Sequence, residues 1–351
     1  MESQFTDSYA IDERKIRVAI AGECNLRCSY CDAGLERSKN RTGSMEDFRS
    51  DEMHKGTISP DEYLRSMSAL REAGYSGVTF TGGEPLLNPH WPELVIGAKE
   101  LGFTNIRLTT NGLLINTFLR KHGKFPDELG LLTVSLDTFD DNEFKAITGG
   151  HVTKVLSGIE AVKQTNPELP IKANKVVMRS NLEGLDRYIQ LCEATGAIEQ
   201  LTLLNLVCKD PLLASERSFF EQQFVPPAEV MEALSQYEFK LDDKHEYIAT
   251  TPGGITINLM DTTRSLRSEE CNDCPIFCQE GYFTTRVATD GTIRTCADFH
   301  NKLAFIKSTD LSDSGLRSGV ENLLAPSRRA ELVDTFAEFC TRYGLEPQRL
   351  S

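Results

Sequence analysis

The chain has 351 residues, 40% hydrophobic and 26% charged, with 52 acidic against 38 basic side chains and a formal net charge of -14. That length buries a large core, either as one α/β barrel or as a barrel with a smaller module. The negative balance excludes a nonspecific nucleic-acid surface, which needs clustered Lys and Arg. The opening segment MESQFTDSYAIDER is polar and no later apolar run approaches a membrane span, so the expectation is a cytoplasmic protein with no membrane or nucleic-acid partner. Ten cysteines in a reducing compartment point to metal ligation rather than disulfides.

Lys15 to Ala21 (KIRVAIA) reads as a first strand delivering a cysteine-rich loop at its C-terminal end. Leu35 to Gly56 is a polar loop beside it, long enough to cover a site. Ser59-Pro60-Asp61-Glu62 is a capping box with proline at the first helical position, followed by Leu64, Met67 and Leu70 on one face and a stop at Gly74. Gly77 to Phe80 is the second strand, and Asn88-Pro89 opens a helix that ends near Gly102. Asn105 to Thr109, Leu131 to Leu136, Ile171 to Met178 and Gln200 to Val207 supply four more strands, with helical stretches over 151–165 and 181–195. Alternating strands and helices imply parallel pairing. Six units are too few for a closed eight-stranded barrel, so the expected fold class is α/β, a partial (β/α)6 TIM barrel with its site at the C-terminal strand ends. The barrel is assigned to 15–208, after a tail 1–14 and before a C-terminal domain 209–351. That domain reads as a helix from Pro226, a β segment Gly254 to Met260, a cysteine group, a hairpin turning at Asp290-Gly291 and a last amphipathic helix after Pro326.

The segment Cys24-Asn25-Leu26-Arg27-Cys28-Ser29-Tyr30-Cys31 offers three thiolates within eight residues. Iron-sulfur clusters are ordinarily closed by four cysteines, so three leave one iron open, as a catalytic metal keeps an open position. Zinc or core cysteines are the alternative. The spacing, with the aromatic Tyr30 before the third cysteine, resembles the radical S-adenosylmethionine (SAM) enzymes. The resemblance implies a 4Fe-4S cluster on Cys24, Cys28 and Cys31 whose open iron binds SAM. It also implies a flavodoxin- or ferredoxin-type electron donor, cleavage of SAM to a 5'-deoxyadenosyl radical, and hydrogen abstraction from a substrate.

Thr81-Gly82-Gly83-Glu84-Pro85 follows the second strand, its two glycines allowing backbone to approach a ligand closely. It resembles the family motif that grips the SAM amino group, which makes Gly82, Gly83, Glu84 and Pro85 cofactor-binding candidates beside Tyr30. Asn111 of Thr110-Asn111-Gly112 closes the third strand above the same cavity. In the family, polar residues ending the fourth and fifth strands contact SAM, which suggests Ser135, Asp137, Asn174 and Arg179 here. Ordinary turn and cap roles suit the same residue types.

Cys271-Asn272-Asp273-Cys274-Pro275-Ile276-Phe277-Cys278 and Cys296 form a second thiol group, which the hairpin is expected to carry back toward the first three. A zinc ribbon and a 4Fe-4S cluster both suit four thiolates, and beside the first motif an auxiliary cluster is favoured. Gly-Gly-Glu-Pro, Ser-Leu-Asp and the hairpin together resemble the subgroup of the GTP cyclase of molybdenum-cofactor biosynthesis, including relatives with a short twitch- or SPASM-like module. Departures weaken GTP as substrate: the subgroup's two nucleotide-holding arginines fall at Thr284 and Arg286, and the tail Gln348-Arg349-Leu350-Ser351 lacks a terminal Gly-Gly. The expectation is a radical SAM enzyme acting on a small polar, nucleotide- or sugar-like metabolite, with Arg264, Arg267, Arg286 and Arg294 holding anionic groups near the second cluster. Rival readings are a peptide-modifying maturase, the GTP cyclase itself, and an electron-transfer protein that leaves SAM intact. Cys192 and Cys340 read as core, and Cys208 as a strand-end thiol facing the cavity.

Overall fold

Branched side chains at every second position decide which way each strand faces. In β1 (Lys15–Ala21) Ile16, Val18 and Ile20 are fully buried while Lys15, Arg17 and Ala19 take the opposite face, the alternation that a pleated strand imposes. The computed structural model describes residues 15–31, 57–208, 214–242, 246–261, 263–267, 284–295, 305–324 and 331–343.

After β1 come α1 (Pro60–Glu72), β2 (Gly77–Gly82), α2 (Trp91–Glu100), β3 (Asn105–Thr110), α3 (Ile115–His122), β4 (Leu131–Ser135), α4 (Asp141–Thr148) and α5 (Val152–Thr165). Then follow β5 (Ile171–Val177), α6 (Leu185–Ala194), β6 (Ile198–Asn205), α7 (Ala214–Gln223), α8 (Pro227–Ala233), β7 (Lys240–Leu241), β8 (Tyr247–Thr250) and β9 (Thr256–Leu259). The rest comprises β10 (Arg264–Arg267), β11 (Thr284–Val287), β12 (Thr292–Arg294), β13 (Phe305–Lys307), α9 (Asp313–Leu324), β14 (Glu331–Asp334) and α10 (Thr335–Tyr343). The capping box starts α1 as expected, with Ser59 accepting from Glu62 N at 3.3 Å.

Twelve strands form one sheet in the order β13-β12-β11-β1-β2-β3-β4-β5-β6-β9-β8-β7. The six predicted strands are its parallel centre, and the C-terminal part extends it on both sides, with β11 parallel to β1 and β9 parallel to β6. The α/β partial-barrel expectation holds, with eight parallel strands in a row rather than six. The outward face carries Ile16, Val78, Leu108, Val134, Ile171, Leu201 and Ile257, packed against the helices. The inward face is polar, so burial alone does not explain it.

The hairpin at Asp290-Gly291 forms, with Gly291 at φ +83° and Asp290 Oδ1 accepting from Thr292 N. Because β12 is antiparallel to β11, and β11 parallel to β1, the chain at Arg294 and Thr295 heads toward the N-terminal end of β1, away from Cys24. Cys296 lies outside the described residues, as do Cys271, Cys274 and Cys278. Before the last helix, the structure also has β14, paired in a separate ladder with β10, and the unpredicted α9.

Candidate active site and metal centre

The loop holding Cys24, Cys28 and Cys31 leaves the C-terminal end of β1 and is strapped down by backbone. Arg27 N and Ser29 N donate to the carbonyls of Thr148 and Ile147, each at 2.9 Å. Those carbonyls end α4, where helical partners run out, so helix end and loop satisfy one another. Gly150 packs closely at this contact: a Cβ there would sit 2.7 Å from Leu26 Cδ2, so that side chain would have to shift.

From the other side the loop is zipped to the Gly-Gly-Glu segment. Gly83 N donates to Ala21 O and Glu84 N to Glu23 O, both at 2.7 Å. A Cβ on Gly83 would fall 2.0 Å from Glu23 O, and one on Gly82, at φ +133°, 2.3 Å from Ala21 O. The glycines therefore let two backbones close against each other beneath the cysteine loop. Glu84 is fully buried: Oε1 accepts from Thr110 Oγ1 at 2.6 Å and Leu86 N at 3.0 Å, and Oε2 from Asn111 N at 2.7 Å. Burial raises its pKa while the three donors oppose that shift. Glu84 thus bolts the ends of β2 and β3 together, and Pro85 is buried in the turn that it caps.

Tyr30 OH donates to Asp137 Oδ2 at 2.6 Å, and Val176 N donates to Oδ1 at 2.9 Å. Lys175 Nζ donates to the Asp137 carbonyl and lies 4.7 Å from the Tyr188 ring centre, a cation-π contact. Asp137 is pushed up chiefly by burial, with Tyr30 and Val176 opposing; Lys175 is pushed down by burial. Burial also raises Tyr30 and Cys28, and Asp137 and the two neighbouring thiols raise Cys28 further. Asp137 spends both oxygens inside the protein, tying the cysteine loop to β4 and β5.

Ser135, Asn174, Thr202 and Asn258 lie in register across β4, β5, β6 and β9 on the inward face. Buried Asn174 Oδ1, Thr202 Oγ1 and Asn258 Oδ1 have no hydrogen-bond partner among the described residues, which suits a polar ligand at these strand ends. Arg179 turns elsewhere, pairing with Glu229 and donating to Phe224 O at 3.4 Å. Cys208 is a correction: it is buried in a second apolar cluster with Phe220, Phe224, Phe339 and Cys340, because the chain has passed the rim of the sheet. Cys192 sits in the main core.

Deeper in the lumen the inward face is cationic. Arg17 is in register with Arg286 on one side and with Thr79, then Arg107, on the other; Arg294 faces Arg286 across the hairpin. Lys172 is held down to about 8 by burial first and then by Arg107, Arg17 and Lys15, with Glu246 opposing. Arg107 donates to Asn105 Oδ1 at 2.7 Å. Arg286 and Arg294 were predicted from their place near the cysteines; Arg17, Arg107 and Lys172 were missed, although each stands at an inward position of an alternating strand. Arg264 and Arg267 are placed by register opposite Asp334 and Glu331, outside the main sheet.

Residues 18–192 match the family described as the Radical SAM superfamily. The chain belongs to that superfamily. As a radical SAM protein it is 34% identical over 210 residues to a probable GTP 3',8-cyclase of Methanococcus vannielii, covering 59% of this chain and 63% of that one. It is 26% identical over 341 residues to a probable GTP 3',8-cyclase of Sulfolobus acidocaldarius, covering 96% and 97%. The match spans about three fifths of the Methanococcus relatives' length at 31–34% identity. Among solved structures, Streptococcus suis SuiB bound to S-adenosylmethionine aligns with TM-score 0.57 and 13% identity over 88% of this chain and 68% of that one. Native anSMEcpe with bound AdoMet and a peptide aligns with TM-score 0.55 and 18% identity over 95% and 84%. Those two share the fold.

The superfamily's 4Fe-4S cluster and SAM fit the residues present. Three thiols stand on one strapped loop, Leu26 N lies 3.4 Å from Cys24 Sγ as a donor, and among the described residues, chain neighbours aside, no atom comes within 4 Å of a Cβ built on Gly22. Cys24, Cys28 and Cys31 would hold the cluster, and the unpartnered oxygens along β5 and β6 would meet SAM or substrate. No helix among the described residues is long and apolar enough to cross a membrane.

Proposed function

We propose that the protein is an enzyme that uses SAM to abstract hydrogen from an anionic small molecule lying in the lumen between the cysteine loop and the opposite end of β1. The observation that carries the reading is the cationic row Arg17, Arg107, Lys172, Arg286 and Arg294 on the inward face. Guanidinium forks bind phosphate and carboxylate oxygens bidentately, and a half-buried lumen strengthens that attraction. When bound, the cluster and SAM supply a radical able to take hydrogen from unactivated carbon. The chain itself holds the cysteine loop rigid through Gly83, Glu84 and Asp137, presents Asn174 and Thr202 to polar atoms, and fixes the substrate's charge below them.

Cys271, Cys274, Cys278 and Cys296 are assigned an auxiliary cluster. A flavodoxin- or ferredoxin-type protein is the proposed electron donor. A second reading, GTP 3',8-cyclase, is favoured by the names of the relatives. It is ranked below the first because one of its two arginine positions is Thr284 here. The test is to trap reduced enzyme with SAM and a panel of phosphorylated and carboxylated metabolites, and to measure deuterium moving from labelled substrate into 5'-deoxyadenosine. Transfer only from anionic compounds, lost in Arg107→Met, supports the reading; transfer from a neutral compound or a peptide overturns it.

A further inference from the structure

Asn111 stands just past β3 with its side-chain nitrogen between two acceptors, 2.6 Å from Asn25 Oδ1 and 3.6 Å from Cys24 Sγ. Its orientation is decided by the rest of the group. Asn111 Oδ1 accepts from Leu113 N at 3.0 Å, so the NH2, with two hydrogens to give, is the end that faces Cys24. The backbone beneath it is fixed as well. Asn111 N is bound to Glu84 Oε2 at 2.7 Å, and the next residue, Gly112, is at φ +81° with Val155 Cγ1 only 2.8 Å from where its Cβ would be. The donor is thus mounted on a strand end rather than on the cysteine loop.

We infer that Asn111 is a positioning residue that donates to the Cys24 thiolate and raises the reduction potential of the cluster this thiolate holds. The inference rests on reading Cys24, Cys28 and Cys31 as cluster ligands. Reduction adds negative charge that spreads onto the sulfurs, and an N–H dipole aimed at one of them stabilises the reduced form over the oxidised one. Leu26 N, 3.4 Å from the same sulfur, acts in the same direction. Asn25 acts against it. Its Oδ1 lies 4.0 Å from Cys24 Sγ and takes the shorter share of the Asn111 amide; a thiolate has no proton to offer that oxygen. The two asparagines therefore have opposite effects on one sulfur, and Glu84 matters to the cluster by holding the backbone of Asn111 in place.

The test is a redox titration, followed by electron paramagnetic resonance, of anaerobically reconstituted protein, reading the reduced-cluster signal that changes when SAM is added. At a fixed potential, Asn111→Ala should lower the reduced-to-oxidised ratio about tenfold, which for one electron is 59 mV. Asn111→Asp keeps the acceptor for Leu113 N but replaces the donor with charge, and should fall at least as far. Asn25→Ala should move the ratio upward. A simple loss of packing would not give opposite signs. Loaded Asn111 variants that titrate with the parent overturn the inference; if they fail to load, an Asn25→Ala protein that does not shift upward overturns it. Iron content is read separately, and a parental protein that takes up no cluster refutes the ligand assignment rather than the role of Asn111.

Discussion

Replacing Tyr30 by Phe keeps the ring and removes the hydroxyl that donates to Asp137 Oδ2 at 2.6 Å. Asp137 is 1% exposed, so no bulk water replaces that donor, and only Val176 N on Oδ1 still binds the carboxylate. A hydrogen bond to a charged group contributes about 1.5–3 kcal/mol and a buried acceptor short of a donor costs about 1–3 kcal/mol, so a loss of about 2 kcal/mol is expected for Tyr30→Phe at neutral pH. The loss should depend on pH. Burial already raises Asp137 above its ordinary value, and Tyr30 is the largest opposing influence. A carboxyl raised in the folded chain contributes stability that is fully present below its unfolded pKa and lost as pH rises through the folded one. Removing the Tyr30 donor raises that value again, so the variant declines further than the parent between acid and neutral pH. The assay is urea unfolding of both proteins in cluster-free form, from about pH 4 to about pH 8. A difference that is absent at neutral pH, or constant across the series, would refute the claim that this bond serves a buried carboxylate.

Gly83→Ala should cost the protein iron and several degrees of melting temperature, because the new Cβ meets Glu23 O, Glu23 C and Cys24 N at 2.0, 2.3 and 2.9 Å; elemental analysis and a melting curve check both. Lys172, lowered from 10.5 to about 8, penalises the fold most below about pH 8 and not at all above about pH 10.5. Lys172→Met should therefore raise stability at neutral pH by up to about 3 kcal/mol, at about 1.4 kcal/mol per unit, with the gain vanishing in alkali. Fully loaded protein should hold about eight irons and fall to about four when Cys271, Cys274, Cys278 and Cys296 are replaced; one zinc and about four irons would instead identify a zinc site. Incubation with SAM and GTP should give no cyclised nucleotide by mass spectrometry, and steady turnover to that product would restore the cyclase reading.

The six central strands were legible because each carries its own alternation or apolar run between helices. What the sequence concealed was long-range pairing. Nothing local in Thr256 to Leu259 or Thr284 to Val287 says that these short strands join β6 and β1 in parallel, since register is fixed by partners far along the chain. The same pairing brings Arg286 beside Arg17, a juxtaposition that spacing could not show. In the motifs the glycines were read as making room for a ligand. At Gly82 and Gly83 they also make room for the cysteine loop itself, a close approach of two backbones that spacing does not show. Glu84 and Asp137 are of the right type for ligand contact, yet their oxygens are taken up by Thr110, Asn111, Leu86, Tyr30 and Val176. Each carboxylate therefore braces the backbone around the site.

The central claim is that Cys24, Cys28 and Cys31 hold a cluster with one iron left for SAM. The most direct measurement is release of 5'-deoxyadenosine from SAM by anaerobically reconstituted protein reduced with dithionite, with the triple alanine variant of those cysteines alongside. The account predicts release by the parent and none by the variant. Release at the parental rate from the variant, or none from fully loaded parental protein, would contradict it.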